Sequence, residues 1–312
     1  MSQPSGRRQF IRAGIAAAAS LSLPARALAQ SRSAALETIP LSGRLGMIAG
    51  AGANVTLLAG AGGEALLVDG GLPEHAPAVL DAVARRSGSP RVDVLFNTNW
   101  RPEHTGVNDT LGPAGTKIIA HENTKLWMGA DFVVEWEKRD HAPRSPEALP
   151  NSTFYTSGSL VLGGERVEHG YLMQAHTDGD IYVFFPDSNV LVVSDLLAVN
   201  GYPIVDYVTG GWIGGMERAT AALLELADRE TQIVPGVGPV QTRADLEAQL
   251  ELCTAAREAV RDAYRMGRSV DEFIAAKPLE RFEPQRGDSE LFLYLVYKGA
   301  WGHVRELGGG II

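Results

Sequence analysis

A single cysteine, Cys253, stands among 312 residues, so no disulfide can close within the chain. A zinc site of several thiolates is excluded for the same reason. Cys253 lies in a stretch with helical spacing and reads as a buried, inert thiol. Long uncharged apolar runs are missing too: beyond the N-terminal segment none is long enough to cross a bilayer. Positive charge is in short supply, with a formal net charge of −9. The first 29 residues hold Arg7, Arg8, Arg12 and Arg26 and no acid; without them 24 basic residues face 37 acidic ones, a net of −13. Such a surface repels nucleic acid and anionic lipid, and its plainest consequence is solubility. Low-complexity tracts and short repeats are also absent. What is present is an ordinary share of apolar (45%) and charged (21%) residues, enough to bury a large core.

The N-terminal residues read as an address. Arg7-Arg8 is followed by Phe10 and Ile11, a weakly apolar run from Ala13 to Leu23, and then Ala27-Leu28-Ala29. That is the three-part order of a signal peptide, and the paired arginines are similar to a twin-arginine export signal. Residues 1–29 are therefore expected to be a signal peptide and the mature protein to be a bacterial periplasmic one, free of the membrane once the signal is removed. Fold reasoning starts at about residue 35.

From Leu41 to Val68, short β-rich runs alternate with glycine pairs and predict strands joined by tight turns. Pro73 suits a helix start, and Ser87-Gly88 stops the helical spacing that follows. VDVLFNTN and KIIAHENT read as strands. Residues 129–153, with Pro143, Pro146 and Pro150, read as a long surface loop over one end of the sheet, and loops of that length are often functional. A second strand-rich half follows. The region from about 242 is helical, with Ser269 and Glu272 forming a capping box. Two halves that each run strands then helix predict a four-layer αββα sandwich as one domain over 35–312, with a helical C-terminal extension.

The chemistry-bearing segment is FNTNWRPEHTGVND, residues 96–109, rich in polar groups at a strand end, where α/β proteins place their sites. It resembles the metal motif H-x-H-x-D-H of the metallo-β-lactamase superfamily. VDGG (Val68–Gly71) resembles the family's aspartate turn, and AHTDGD (Ala175–Asp180) its second metal-binding turn. SDLL (Ser194–Leu197) resembles its bridging-aspartate strand end, and VPGVGPV (Val234–Val240) its last ligand loop. The blocks keep the family's order between about 41 and 250.

The resemblance implies a metal site that this chain has altered. Asn99 and Arg101 stand where two histidines are expected, Glu103 where an aspartate is expected, and Val237 where the last histidine is expected; His104, His176 and Asp195 are kept. The implied ligands are therefore His104, His176, Asp195 and Glu103, holding either no metal or a single zinc or other divalent ion. Arg101 cannot donate a lone pair. Its charge opposes a cation by roughly 4 kcal/mol per unit charge at ~4 Å and an effective dielectric of about 20. It is expected instead to bridge Glu103 and Asp195 as a stand-in for the missing cation. The resemblance gives Asp69, Asp178 and Asp180 the part of orienting histidines or capping turns. Of the remaining histidines His121 lies nearest the expected site; His75, His141, His169 and His303 are expected on the surface or on helices. Trp100, Trp127, Trp136, Tyr202, Tyr207 and Trp212 are candidates for the wall of an apolar pocket, or for ordinary core.

Two functions stay open. The favoured one is an exported pseudoenzyme that binds a small molecule or a partner. The other is a mononuclear metal-dependent hydrolase of a small ester, lactone, thioester or lactam. The sequence does not give the oligomeric state.

Overall fold

The structure is a computed structural model, and it describes residues 36–307; the expected signal peptide, residues 1–29, lies outside the described residues. Strands β1 (Glu37–Pro40), β2 (Leu45–Ala49), β3 (Val55–Ala59) and β4 (Ala65–Val68) form an antiparallel run. Helix α1 (Ala76–Ser87) then returns the chain to β5 (Val94–Phe96), which lies parallel to β4. The short helices α2 (Pro102–Thr105) and α3 (Asn108–Leu111) lead to β6 (Lys117–His121), and α4 (Glu122–Met128) follows. Residues 129–153 are not a plain loop. They hold an antiparallel hairpin, β7 (Phe132–Val134) and β8 (Arg139–His141), and end in β9 (Ser152–Phe154), which completes the first sheet beside β6.

The second sheet runs β10 (Ser157–Leu162), β11 (Glu165–Tyr171), β12 (Ile181–Phe185), β13 (Val190–Ser194) and β14 (Gln232–Pro235). Its strands are antiparallel except for the last pair, which α5 (Ile213–Leu226) connects in parallel. The tail comprises α6 (Arg243–Arg265), α7 (Val270–Ala275), α8 (Glu283–Arg286) and α9 (Glu290–Ala300).

Strand periodicity explains the layering. Side chains alternate between faces, so a fully buried strand feeds two cores. In β13, Val190 and Val192 enter the core between the sheets, with Phe96, Val183 and Phe185, while Leu191 and Val193 join Met216, Leu223, Leu246, Leu252 and Phe292 under the helices. In β4, Leu66 and Val68 face the inter-sheet core, and Ala65 and Leu67 pack with Val79 and Val83 of α1. Helices therefore cover both outer faces, which is the expected αββα order. Gly88 ends α1 at φ 81°, a left-handed position that favours glycine. The Ser269–Glu272 capping box opens α7, and a second box, Thr242–Asp245, opens α6.

Candidate active site

The polar residues of the motif segments meet beyond the C-terminal ends of β4, β5 and β13, where both sheets open onto one edge. Two of these strand ends turn through a left-handed backbone at a non-glycine residue: Asp69 at φ 65° and Ser194 at φ 50°. Such conformations persist only where surrounding bonds hold them. Here Thr98 supplies them: its backbone N–H donates to Asp69 Oδ1 (2.8 Å), and its hydroxyl lies 2.8 Å from Asp69 Oδ2 and 2.8 Å from Ser194 Oγ. Gly236 comes so near Asp195 that a Cβ there would collide with the carboxylate.

His104, on α2, is fully buried. Its Nδ1 is 2.9 Å from Asp69 Oδ2 and its Nε2 2.7 Å from Asp195 Oδ2. Burial alone would lower its pKa, but Asp195 and Asp69 outweigh burial and hold it well above the ordinary histidine range. Burial likewise pushes Asp195 up, yet His104, His176 and Arg101 hold it far below the usual carboxylate range. Asn99 donates from its amide to Asp195 Oδ2 (3.2 Å) and accepts from the backbone N–H of Arg101 (2.9 Å), so it positions both neighbours.

His176 differs from His104 in one respect. Its Nδ1 lies 2.8 Å from the carbonyl of Ile204, to which it donates, and this fixes the tautomer with a lone pair on Nε2. That Nε2 is buried, has no hydrogen-bond partner, and sits 3.5 Å from Asp195 Oδ2. A buried polar atom left unsatisfied costs free energy unless something meets it.

Arg101 does not bridge Glu103 and Asp195 as expected. Its Nε donates to Glu103 (3.0 Å), one terminal nitrogen to Glu137 on the β7–β8 turn, and the other to buried Asp206 (3.4 Å). The guanidinium also lies over the rings of Trp100 (5.3 Å) and Trp136 (5.7 Å). Burial lowers its pKa, but Glu103, Glu137, Asp195 and Asp206 together raise it far above normal. Glu103 is opposed by burial and lowered below its ordinary value by His104 and Arg101. Trp136 Nε1 donates to Asp206 (3.3 Å), so the hairpin is tied to the site at two points.

These residues border a cavity of about 380 Å³, a size suited to a small ligand. Its polar side is Arg101, Glu103, Glu137, His176 and Asp195, and its apolar side is formed chiefly by Leu197, Val199, Tyr202, Pro203 and Ile204. Of the six aromatic candidates, Trp136 and Tyr202 border it. The others belong to packing. Trp212 is buried in the helical core, stacked on His303 at 4.0 Å. Trp100 packs edge-on to Phe132 beneath the hairpin, and its indole N–H is taken by Thr209. Tyr207 meets Tyr294 of α9, and Trp127 donates to Asp178.

Asp69 orients His104, as expected. Asp180 caps the His176 turn through Thr177 (2.7 and 2.9 Å), and burial pushes its carboxyl up to about 6. Asp178 has no hydrogen bond to a site histidine: its carboxylate accepts from Trp127 and ties α4 to the turn. His121 is buried and stacked on Tyr171, where it caps α4. His169 is not on the surface but buried in β11 between Phe96 and Phe154, and His141 packs half-buried against Trp100. Glu137 and Asp206, which sequence reasoning did not select, join Glu103 as partners of Arg101. Glu137 lay in the 129–153 segment already marked as a functional loop; Asp206 carried no signal beyond its place among glycines and aromatics.

Oxygen and nitrogen donors of Glu103, His104 and Asp195 lie within 4.8 Å of one another, and the free Nε2 of His176 faces the same carboxylate. Two imidazoles and two carboxylates suit one divalent ion such as zinc. They do not suit two, because Asn99 and Val237 supply no imidazole and Arg101 no lone pair. The objection that Arg101 repels a cation is weakened by its partners. Even with Arg101 charged and His104 protonated, the five carboxylates of Asp69, Glu103, Glu137, Asp195 and Asp206 leave a net negative site.

Comparison with known proteins agrees with this fold. A family model described as the Metallo-beta-lactamase superfamily matches residues 49–250. The 2,4-dinitroanisole O-demethylase subunit alpha of Nocardioides sp. (strain JS1661) is 27% identical over 201 residues, 62% of this chain. The chain spans only 56% of that relative's length. Among solved structures, a metallo-beta-lactamase from Pontibacter korlensis superposes with a TM-score of 0.57 at 18% identity, covering 70% of this chain and 99% of the other. A stereoselective inverting sec-alkylsulfatase from Pseudomonas sp. superposes with a TM-score of 0.68 at 15% identity, covering 86% of this chain and 50% of the other. At those identities the structural likenesses speak for the fold alone.

Proposed function

The chain belongs to the metallo-beta-lactamase superfamily, and from that premise we propose that it is a hydrolase working with one divalent cation at a reduced form of the family's two-metal site. The observation that carries this reading is the Nε2 of His176: buried, without a partner, its tautomer set by Ile204, and aimed at Asp195. A histidine whose other nitrogen is pinned to a carbonyl is arranged as metal ligands are. His104 is likewise pinned at Nδ1, by Asp69, but its Nε2 is held by Asp195, so a cation would take that nitrogen by displacing their shared proton. Bound there, a divalent cation would lower the pKa of a water and polarise a substrate oxygen. The protein's own part is positional. Asn99 fixes the orientation of an Asp195 that stays ionised, and Arg101, locked by three carboxylates, ties the hairpin to the cavity.

The substrate is a small ester, lactone, thioester, lactam or, as the name of the O-demethylase relative suggests, an aryl ether. Zinc content after equilibration and dialysis tests the reading. About one ion per chain is expected, falling to near zero in His176→Ala while the fold, followed by circular dichroism, is kept. No zinc in the unaltered protein would leave the second reading, a pseudoenzyme that binds a small molecule. One observation favours that alternative: His104 and Asp195 already satisfy each other at 2.7 Å without an ion. We also propose that residues 1–29 export the chain to the periplasm. Arg7→Lys with Arg8→Lys should then keep the precursor in the cytoplasm, and normal periplasmic accumulation would sink the twin-arginine reading.

A further inference from the structure

The distribution of charge around the cavity is uneven in depth. The Arg101 side chain is 9% exposed and Asp206 is fully covered, whereas Glu103, Glu137 and Asp195 are 27%, 16% and 21% exposed. The positive charge therefore lies beneath the carboxylates that face the opening. Among the described residues bordering the cavity, Arg101 is the one side chain with a fixed positive charge. Each of its three nitrogens already donates to a carboxylate, Glu103, Glu137 or Asp206, which leaves two of its five N–H groups. An incoming anion would have to share a guanidinium already paired with these carboxylates and would meet their negative charge. A divalent ion on His104, His176, Asp195 and Glu103 does not reverse this, because with His104 then neutral, the five carboxylates still outnumber the charges on the ion and Arg101.

The same cavity has an apolar lining of Leu197, Val199, Tyr202, Pro203 and Ile204. A second feature marks the cavity as built for a ligand: His176, which lines it, has a buried Nε2 without a hydrogen-bond partner.

We propose that this cavity selects by charge, taking a small organic cation with an apolar body first, its uncharged counterpart second, and excluding carboxylates, sulfonates and phosphates. The inference deepens the hydrolase reading and rests on it for calling the occupant a substrate. The geometry assigns the discrimination to Glu137 above all. It is the carboxylate brought by the β7–β8 hairpin, and it both faces the opening and holds Arg101. In water the charge preference amounts to Coulomb attraction in a partly desolvated cleft, so salt must weaken it.

The test is calorimetric binding of three benzyl compounds of similar size to the full chain, with and without zinc: benzyltrimethylammonium, benzyl methyl ether and phenylmethanesulfonate. The ammonium should bind about tenfold more tightly than the ether, and the sulfonate not measurably. Raising salt to about 0.5 M should close most of the gap between ammonium and ether. Glu137→Gln should weaken the ammonium about tenfold and leave the ether unchanged, because it removes one negative charge from the cavity while keeping an acceptor for Arg101. The salt series needs no variant, so it holds even if Glu137→Gln folds poorly. Sulfonate binding equal to the ammonium, affinities of all three within about twofold, or no binding by any of them would overturn the proposal. A protein that shows the expected order yet hydrolyses nothing would sink the hydrolase reading alone.

Discussion

Arg101 is the residue around which the site is arranged, and its partners set what its loss must do. Glu103, Glu137 and Asp206 converge on one buried guanidinium. Removing one member of a buried ion pair typically costs about 3–5 kcal/mol, because the remaining charge stays buried and unpaired. Glu103 and Glu137 are partly open to solvent, so Arg101→Ala should fall near the lower end of that range. Since Glu137 and not Asp195 is the direct partner, Glu137→Gln in the Arg101→Ala background should recover about 1 kcal/mol or more. Urea unfolding of both single variants and the double measures this; strict additivity would show that the pair is not coupled. His169 supports a second prediction. Burial between Phe96 and Phe154, with Lys117 adding to it, lowers its pKa to about 4 from 6.5 in the unfolded chain. The unfolded state therefore takes up a proton first as the medium is acidified. The His169 contribution should be intact above about pH 6.5 and be lost progressively as pH falls towards 4. His169→Phe should flatten that part of the stability profile, and an unchanged profile would mean that other groups govern acid sensitivity.

Among the elements, α6 and the β7–β8 hairpin illustrate opposite uses of burial. The apolar side of α6 carries Leu246, Leu252, Cys253, Ala256 and Val260 into the core over the second sheet. Cys253 is fully covered, and burial pushes its thiol up to about 12. Thiolate is the reactive form, so a disulfide reagent at pH 8 should leave the native thiol unmodified for hours and label it fully in urea. Rapid labelling of the native protein would show α6 opening from the sandwich. The hairpin, by contrast, has a small apolar cluster of its own, Trp100, Met128 and Val134, and reaches the site through Trp136 and Glu137. Its position depends on polar ties, which is why a segment that looked like a surface loop contributes two side chains to the cavity.

Taken as a whole molecule, the helical tail is part of the sandwich rather than an appendage. One continuous core joins Leu191 and Val193 of β13, Met216 and Leu223 of α5, Leu246 and Leu252 of α6, and Phe292 and Leu295 of α9. A shared core predicts shared unfolding. Far-ultraviolet circular dichroism and tryptophan fluorescence should report coincident transitions in urea. Deleting residues 243–312 should yield insoluble protein, because it bares the outer face of α5. Two separated transitions, or a soluble and folded truncation, would show that the tail is an independent unit.

What the sequence determined by itself is what short-range physics encodes. Short β-rich runs bounded by glycine pairs placed β2 to β4, a second strand-rich stretch placed β10 to β13, Gly88 ended α1, and the Ser269–Glu272 pair opened α7. His104, His176, Asp195 and Asp69 were legible through the resemblance of their segments to the superfamily's motifs, not through local physics. The tertiary structure alone decided two of the three partners of Arg101. Glu137 is 36 residues away and Asp206 is 105, and both come from irregular segments with no periodicity to place them. It also separated Trp136 and Tyr202, which border the cavity, from Trp100, Tyr207 and Trp212, which are packed beside or beneath it. An aromatic side chain in a loop carries the same composition signal whether it faces ligand or core. Which way it faces depends on the surfaces that close around it, and those come from distant parts of the chain.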